Sequence, residues 1–143
     1  MQPLQQTFHI EHSLYRLAAG IAQRYGVNQP DTRTRRVDHI ITIAQDYIHD
    51  NLSTSLSLDD IANQVHVSKY HFIRLFRRQM GMTPHQYIIN ARVNRARHAL
   101  ALGMPIDEAA SLFGFSDQSH LNRRFKLVYG LTPYQYQCSV KRH

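Results

Sequence analysis

Two short stretches of the chain carry basic and polar side chains at the spacing of one helical face, and they are where the sequence offers chemistry. In the first stretch these residues are Lys69, Tyr70, Ile73, Arg74 and Arg77. In the second stretch they are Ser119, His120, Arg123 and Lys126. Arginine can donate two hydrogen bonds to one planar edge such as that of guanine, and serine or histidine can pair with a single base edge. These residue types suit recognition of a polyanion by hydrogen bonding.

The two stretches belong to an internal sequence repeat. The segment 68–76 is repeated at 116–125, and Thr83–Pro84 is repeated at Thr132–Pro133. The two copies are 48 residues apart before the repeated segment and 49 residues apart after it, so the second copy contains one inserted residue. A structural unit that occurs twice predicts a protein that binds its partner at two sites. Duplex DNA is a partner whose surface repeats at regular intervals, so it fits this arrangement.

Each copy predicts a short helix, a tight turn and a second, basic helix. The first copy reads as a helix over 58–65, a turn at His66–Val67 and a helix from the cap Ser68 to Met80; the second reads as a helix over 106–113, a turn at Gly114–Phe115 and a helix from the cap Ser116 to Tyr129. This is the helix-turn-helix arrangement, which places the N-terminal half of its second helix in the DNA major groove. The apolar residues on the reverse face are predicted to be core: Phe72, Leu75, Phe76, Leu121, Phe125 and Val128.

The remaining elements must hold these two units. A capping box, Thr83 to Gln86, with proline at the first helical position opens a long helix over about 84–102, and a second box at Thr132 opens a short final helix. Apolar residues at spacings of three and four predict helices over 8–25 and 36–51, with a linker over 26–36. The predicted fold is all-α: two helix-turn-helix subdomains joined by a long connecting helix and preceded by an extra amphipathic helix. The predicted divisions are 1–36 for the N-terminal helix and linker, 37–138 for the DNA-binding domain, and within it about 57–81, 84–102 and 105–130 for the first unit, the connector and the second unit.

Composition agrees with a nucleic-acid partner. The chain has 17 Lys and Arg against 10 Asp and Glu, a formal net charge of +7. Its single cysteine, Cys138, excludes an internal disulfide and fits a reducing compartment. No apolar run approaches the length of a membrane span, so we expect a cytoplasmic protein without a membrane partner.

Catalysis, a metal site and a cofactor are not indicated. The ten histidines form no HExxH motif, and one cysteine cannot complete a zinc site. The sequence also lacks a phosphate-cradling glycine loop and a plausible Ser/His/Asp order, so we expect no enzyme. The eight tyrosines leave open a non-specific RNA or single-strand binder that stacks bases, although Tyr47, Tyr87 and Tyr136 fall at core spacing.

Over residues 37–136 the chain resembles the DNA-binding domain of the AraC/XylS family of bacterial transcriptional regulators. The residues that carry the resemblance are Leu58 to Tyr87, Gly114 to Lys126 and Gly130 to Pro133. The resemblance implies seven helices, sequence-specific binding upstream of promoters and contact with RNA polymerase. It places base-reading positions on Tyr70, Ile73, Arg74, Gln118, Ser119, His120 and Arg123, and phosphate contacts on Lys69, Arg77, Arg124 and Lys126.

Ile73 departs from the family pattern, where a polar reader often stands. Isoleucine offers only apolar contact, for example to a thymine methyl group. Our hypothesis is therefore that Arg74 provides most of the discrimination in the first half-site.

The predicted connector has a length that suits two-groove binding. At a rise of 1.5 Å per residue it spans about 28 Å, close to the roughly 34 Å between successive major grooves on one face of DNA. The connector's Arg92, Arg95 and Arg97 are open to three interpretations: phosphate contacts, solvation or pairing with carboxylates.

Two kinds of regulator fit this sequence. One is a stand-alone, ligand-independent activator. The other is the DNA-binding part of a larger effector-responsive regulator, and the amphipathic stripe at 8–25 with its basic linker favours it. In that case the stripe is an orphan surface through which two copies could form a homodimer.

Overall fold

The computed structural model describes residues 31–141 of the chain. The amphipathic helix predicted at 8–25, and the homodimer predicted through it, lie outside the described residues. Within them the chain is all-α, as predicted, and forms seven helices: α1 Thr32–Asp50, α2 Leu58–Gln64, α3 Lys69–Met80, α4 Pro84–Ala101, α5 Ile106–Leu112, α6 Gln118–Tyr129 and α7 Pro133–Val140. None of the described helices combines the length and apolarity needed to cross a bilayer.

Helix α1 begins earlier than the sequence predicts. Residues 32–36 are helical, and the amide of Arg35 donates to the carbonyl of Asp31 at 3.1 Å. The predicted linker over 26–36 is therefore wrong for its last residues. The apolar periodicity begins only at Val37, but the polar turn before it contains no glycine or proline that would stop the helix.

The predicted caps account for the boundaries of the first unit. The Ser57 hydroxyl accepts from the Asp60 amide at the start of α2, while the Asp60 carboxylate accepts from the Ser57 amide. The Ser68 hydroxyl accepts from the His71 amide at the start of α3, which ends at Gly81 in the left-handed conformation. These contacts satisfy amide groups that a helix leaves without internal partners.

The second unit repeats this scheme with one shift. Asp117, and not the predicted Ser116, caps α6, its carboxylate accepting from the His120 amide at 2.6 Å. The two turns match residue for residue up to Phe115, since the amide of Val67 donates to the carbonyl of Ala62 and the amide of Phe115 donates to that of Ala110. Ser116 is therefore the inserted residue, and it moves the capping position on by one.

Two hydrophobic clusters form the core, one in each unit. The first contains Ile41, Ile48, Ile61, Phe72 and Phe76, and the second is built around Leu121 and Phe125. Helix α4 contributes residues to both clusters. Ile88 and Ala91 belong to the first cluster, and the second contains Ile89, Val93, Ala96, Ala99 and Leu100. We refer to α1–α3 as the first module and to α5–α7 as the second module, with α4 shared between them.

The predicted core residues are placed correctly except at the end of α6. Phe72, Phe76, Leu121 and Phe125 are fully buried. Leu75 is partly buried against the first cluster. Val128 is 43% exposed, and its neighbour Tyr129 packs on the second cluster instead. Positions seven and eight residues after Leu121 both belong to its helical stripe, so the spacing does not separate Val128 from Tyr129. The ring of Tyr129 takes the buried place by packing on Phe125, at a centroid distance of 4.9 Å.

Candidate nucleic-acid interface

Helix α3 presents most of its predicted contact residues to solvent. Tyr70 is 76% exposed, and Arg74 and Arg77 are exposed beside it. Ile73 is half-buried. Because Phe72 and Phe76 fix the opposite face of α3 in the core, this surface has a defined orientation and is available to a partner.

Lys69, at the start of α3, already has a partner within the protein. Its Nζ lies 2.8 Å from the Asp59 carboxylate of α2, and this hydrogen bond raises the pKa of Lys69. Both side chains are solvent-accessible, so the pair is an exposed ion pair of small net energy. A phosphate contact by Lys69 requires this pair to open or to be shared.

Helix α6 presents an equivalent surface. Gln118, Ser119 and Arg123 are exposed, as are Arg124 and Lys126. Arg124 also lines an open groove between α6 and the start of α4, together with Met82, His85, Ile89, Leu127 and Val128. Ser119 and Arg123 lie on the surface of α6 opposite the buried Leu121 and Phe125. Gln118 is exposed in the first turn of the helix, on the side of Leu121.

His120 is less accessible than its neighbours on α6. Its ring is half-buried, packs edge-on against Phe115 and has Nδ1 3.5 Å from the Ser116 amide and 3.3 Å from the Ser116 hydroxyl. Burial, followed by the charges of Arg124 and Arg123, lowers the pKa of His120 below its usual value of 6.5. With Nδ1 accepting from the Ser116 amide, the neutral ring carries its proton on Nε2 and can donate one hydrogen bond from there.

Acidification is expected to destabilise the protein through His120. Because the folded-state pKa lies below the unfolded value, the unfolded chain binds more protons, so stability is retained above about pH 6.5 and lost as pH falls through the depressed pKa. Thermal unfolding between pH 7.5 and 5 measures this, and His120→Gln is expected to lose less stability than the natural chain.

The ring titration provides the matched control for this prediction. Removing one of the cations, in Arg124→Gln, is expected to raise the pKa of His120 part of the way back. Proton NMR of the ring reports the value directly. A His120 pKa above 6.5 in the folded natural chain would contradict the prediction.

The three arginines of α4 have contacts within the protein that the sequence did not indicate. Arg95 donates to the carbonyl of His49 at 3.0 Å, and the Arg97 guanidinium lies over the ring of Tyr129. Arg92 donates to three backbone carbonyls, and burial lowers its pKa. Within residues 31–141 the Arg92 guanidinium forms no ion pair with a carboxylate. Because every residue has a backbone carbonyl, the sequence does not show which carbonyls accept hydrogen bonds from these arginines.

Comparisons with known proteins identify relatives of this architecture. A family profile described as "Helix-turn-helix domain" matches residues 61–138. The probable transcriptional regulator LumQ of Photobacterium leiognathi is 31% identical over 71% of this chain and 41% of its own length. The multiple antibiotic resistance protein MarA of Escherichia coli K12 is 33% identical over 74% of this chain and 86% of its own. The chain therefore spans less than half of LumQ and most of MarA.

A solved structure shares the fold. The crystal structure of a transcriptional regulator from Chromobacterium violaceum, described as one of the AraC-type DNA-binding domain-containing proteins, superposes with a TM-score of 0.69 at 30% identity. The match covers 72% of this chain and 93% of that one. The helices that carry the two candidate surfaces lie within the matched family profile.

Proposed function

Because the chain belongs to the AraC-type family of helix-turn-helix transcriptional regulators, with a DNA-binding domain of that type, we propose that it reads two successive major grooves on one face of duplex DNA. The N-terminal halves of α3 and α6 enter the two grooves. The binding is sequence-specific, and the protein acts at promoters.

The observation that supports this proposal is the equivalence of the two helix-turn-helix units, α2–α3 and α5–α6, which α4 joins. Helices α3 and α6 each have 12 residues, a capped N-terminus and a left-handed glycine at the C-terminus, and α4 separates them. The 18 residues of α4 span about 27 Å. That length approaches the roughly 34 Å between neighbouring major grooves, and DNA bending can supply the difference.

The candidate residues of α3 and α6 divide into base readers and phosphate contacts. We assign base reading to Tyr70, Ile73, Arg74, Gln118, Ser119, His120 and Arg123. We assign phosphate contacts to Lys69, Arg77, Arg124 and Lys126. Arg74 and Arg123 occupy the same position of their helices, the sixth residue of each, and each can pair with a guanine edge. Neutral His120 can donate from Nε2 to a base acceptor.

We further propose that the chain is the DNA-binding part of an effector-responsive regulator that contacts RNA polymerase. The match includes only 41% of LumQ, which supports a DNA-binding part of a longer regulator. It includes 86% of MarA, which supports the alternative of a stand-alone activator. Analytical ultracentrifugation separates dimerisation through residues 8–25 from a monomeric state. If the natural chain is a dimer and the double variant Leu14→Glu/Leu17→Glu is a monomer, the result supports dimerisation through the apolar stripe at 8–25. If both proteins are monomers, the result opposes it.

Selection of bound duplexes from a random pool, followed by hydroxyl-radical footprinting, tests the two-groove proposal. The expected footprint covers two patches on one face of the duplex, about one helical turn apart. Protection confined to one groove, or equal affinity for the selected duplex and its separated single strands, would refute it. Transcription from a promoter that carries the selected site then reports on the coupling to RNA polymerase.

A further inference from the structure

The two modules have few connections besides α4. Among the described helices, each pair in extensive contact either lies within one module or includes α4. The two hydrophobic clusters likewise have no member in common. Each module packs on its own residues of α4, so bending or twisting of this helix is what would move α3 relative to α6. A contact that joins the modules outside the two clusters is a second link that restricts that motion.

We infer that Arg92 is this link: a positioning residue that locks the second module onto the first and so sets the spacing of half-sites that the protein accepts. Arg92 Nε donates to the carbonyl of Leu52 at 3.0 Å, and Nη2 donates to that of Thr54 at 3.0 Å. Its Nη1 donates to the carbonyl of Gly114 at 3.1 Å. The first two acceptors belong to the turn between α1 and α2, and the third belongs to the turn that leads into α6.

The chemistry of the side chain matches this arrangement. The guanidinium is a rigid plane whose donors point in fixed directions, so binding three carbonyls at once fixes the positions of the two turns relative to each other. A lysine at this position has one flexible ammonium group and cannot reproduce that geometry.

Gly114 provides a second, independent observation for the same contact. A Cβ atom built on Gly114 would lie 2.8 Å from Arg92 Cζ, closer than such atoms approach one another. Gly114 also has a φ of 73°, in the left-handed region that favours glycine. At Gly130, which has a similar φ of 74°, a Cβ would meet no atom within 4 Å. The turn into α6 is thus shaped to accept the guanidinium.

The effect on DNA follows from where the three acceptors lie. Leu52 and Thr54 precede α2, which braces α3, and Gly114 lies in the turn that directs α6. A change in this link alters the rotation of one recognition helix relative to the other without altering the surface of either. This consequence rests on the proposed two-groove function, while the link itself does not.

The link is tested first in the absence of DNA. Spin labels at the exposed positions Asn63→Cys in α2 and Ser111→Cys in α5, in a Cys138→Ser background, report the distance between modules by pulsed electron resonance. We expect a broader or shifted distance distribution in Arg92→Met and in Arg92→Lys. The matched control is Arg97→Met, which removes the same charge from α4, because Arg97 contacts Tyr129 within the second module. An unchanged distribution in both Arg92 variants would overturn the inference.

A second pair of variants guards against misfolding of the Arg92 variants. Gly114→Ala keeps Arg92 but displaces its guanidinium, so it should broaden the distribution as well. Gly130→Ala adds the same backbone strain in open space and should leave it narrow. Equal distributions in these two variants would also oppose the inference.

The consequence for DNA is tested with duplexes in which one or two base pairs are inserted between the half-sites. The natural chain and Arg97→Met are expected to lose affinity steeply with each insertion. In Arg92→Lys we expect lower affinity for the selected spacing and loss of the dependence on spacing, with unchanged affinity for each isolated half-site. Steep dependence in Arg92→Lys would refute the effect on spacing. A natural chain that is indifferent to spacing would refute the two-groove function instead, and the distance distributions would still decide the role of Arg92.

Discussion

Arg74→Ala is expected to weaken binding to the selected duplex by about 1–3 kcal/mol, roughly a fivefold to 150-fold loss of affinity, and to relax the preference at one base pair of the first half-site. Arg74 is exposed on the surface of α3 that carries Tyr70 and Arg77. Its guanidinium can donate two hydrogen bonds to a guanine, and alanine leaves those acceptors without partners. Titrations against duplexes substituted at each base pair measure both effects.

Two neighbours on the same helix serve as controls. Ile73 is half-buried and offers only an apolar contact, so Ile73→Ala is expected to lose less discrimination than Arg74→Ala. Arg77→Ala removes the same charge as Arg74→Ala from a proposed phosphate contact. It should weaken binding evenly across sequences and reduce the salt dependence by about one unit of slope. Equal loss of discrimination in Ile73→Ala and Arg74→Ala would contradict our assignment of the first half-site.

The helices and their boundaries were largely predictable because their signals are local. Thr83 and Thr132 each begin a capping box three residues ahead of a glutamine, and both boxes are present in the structure. Gly81 and Gly130 end α3 and α6 in the left-handed conformation, as glycine at a helix C-terminus predicts. The internal repeat then shows that these local signals describe two helix-turn-helix units of the same design.

Features that depend on fine register or on distant backbone were not predictable. Ser116 and Asp117 are both good capping residues, so the sequence alone could not show which of them caps α6 and which is the inserted residue. Val128 and Tyr129 are adjacent apolar residues, and only the path of α6 over the second cluster selects Tyr129. Arg92 reaches carbonyls some 20 to 40 positions away in the chain, for which no side-chain pattern exists.

The surface of the candidate site was predictable in a limited sense. Helical periodicity separated exposed residues from buried ones on α3 and α6, which places Arg74 and Arg123 on equivalent surfaces. It could not show that Lys69 is paired with Asp59, because that contact joins two helices across the turn. It also could not show that Ser116 and Phe115 hold the ring of His120.

Phe125→Ala is expected to destabilise the second module by about 3–5 kcal/mol, since it removes a fully buried aromatic ring and leaves a cavity. The Phe125 ring contacts Tyr129 and Tyr136, at centroid distances of 4.9 Å and 5.7 Å, so it joins α6 to α7. An energy of this size is a large part of the stability of an ordinary domain. Urea unfolding measures the loss, and hydrogen exchange shows which amides lose protection.

Phe76→Ala is the matched variant, because Phe76 is the repeat counterpart of Phe125 and is equally buried. Its ring packs on Phe72 and Tyr87, within the first cluster. Since the clusters share α4 but have no residue in common, each variant should first lose exchange protection in its own module. Each should then retain contact with DNA through the recognition helix of the other module. Simultaneous loss of protection across both modules in either variant would contradict this expectation, because it would make them one cooperative unfolding unit.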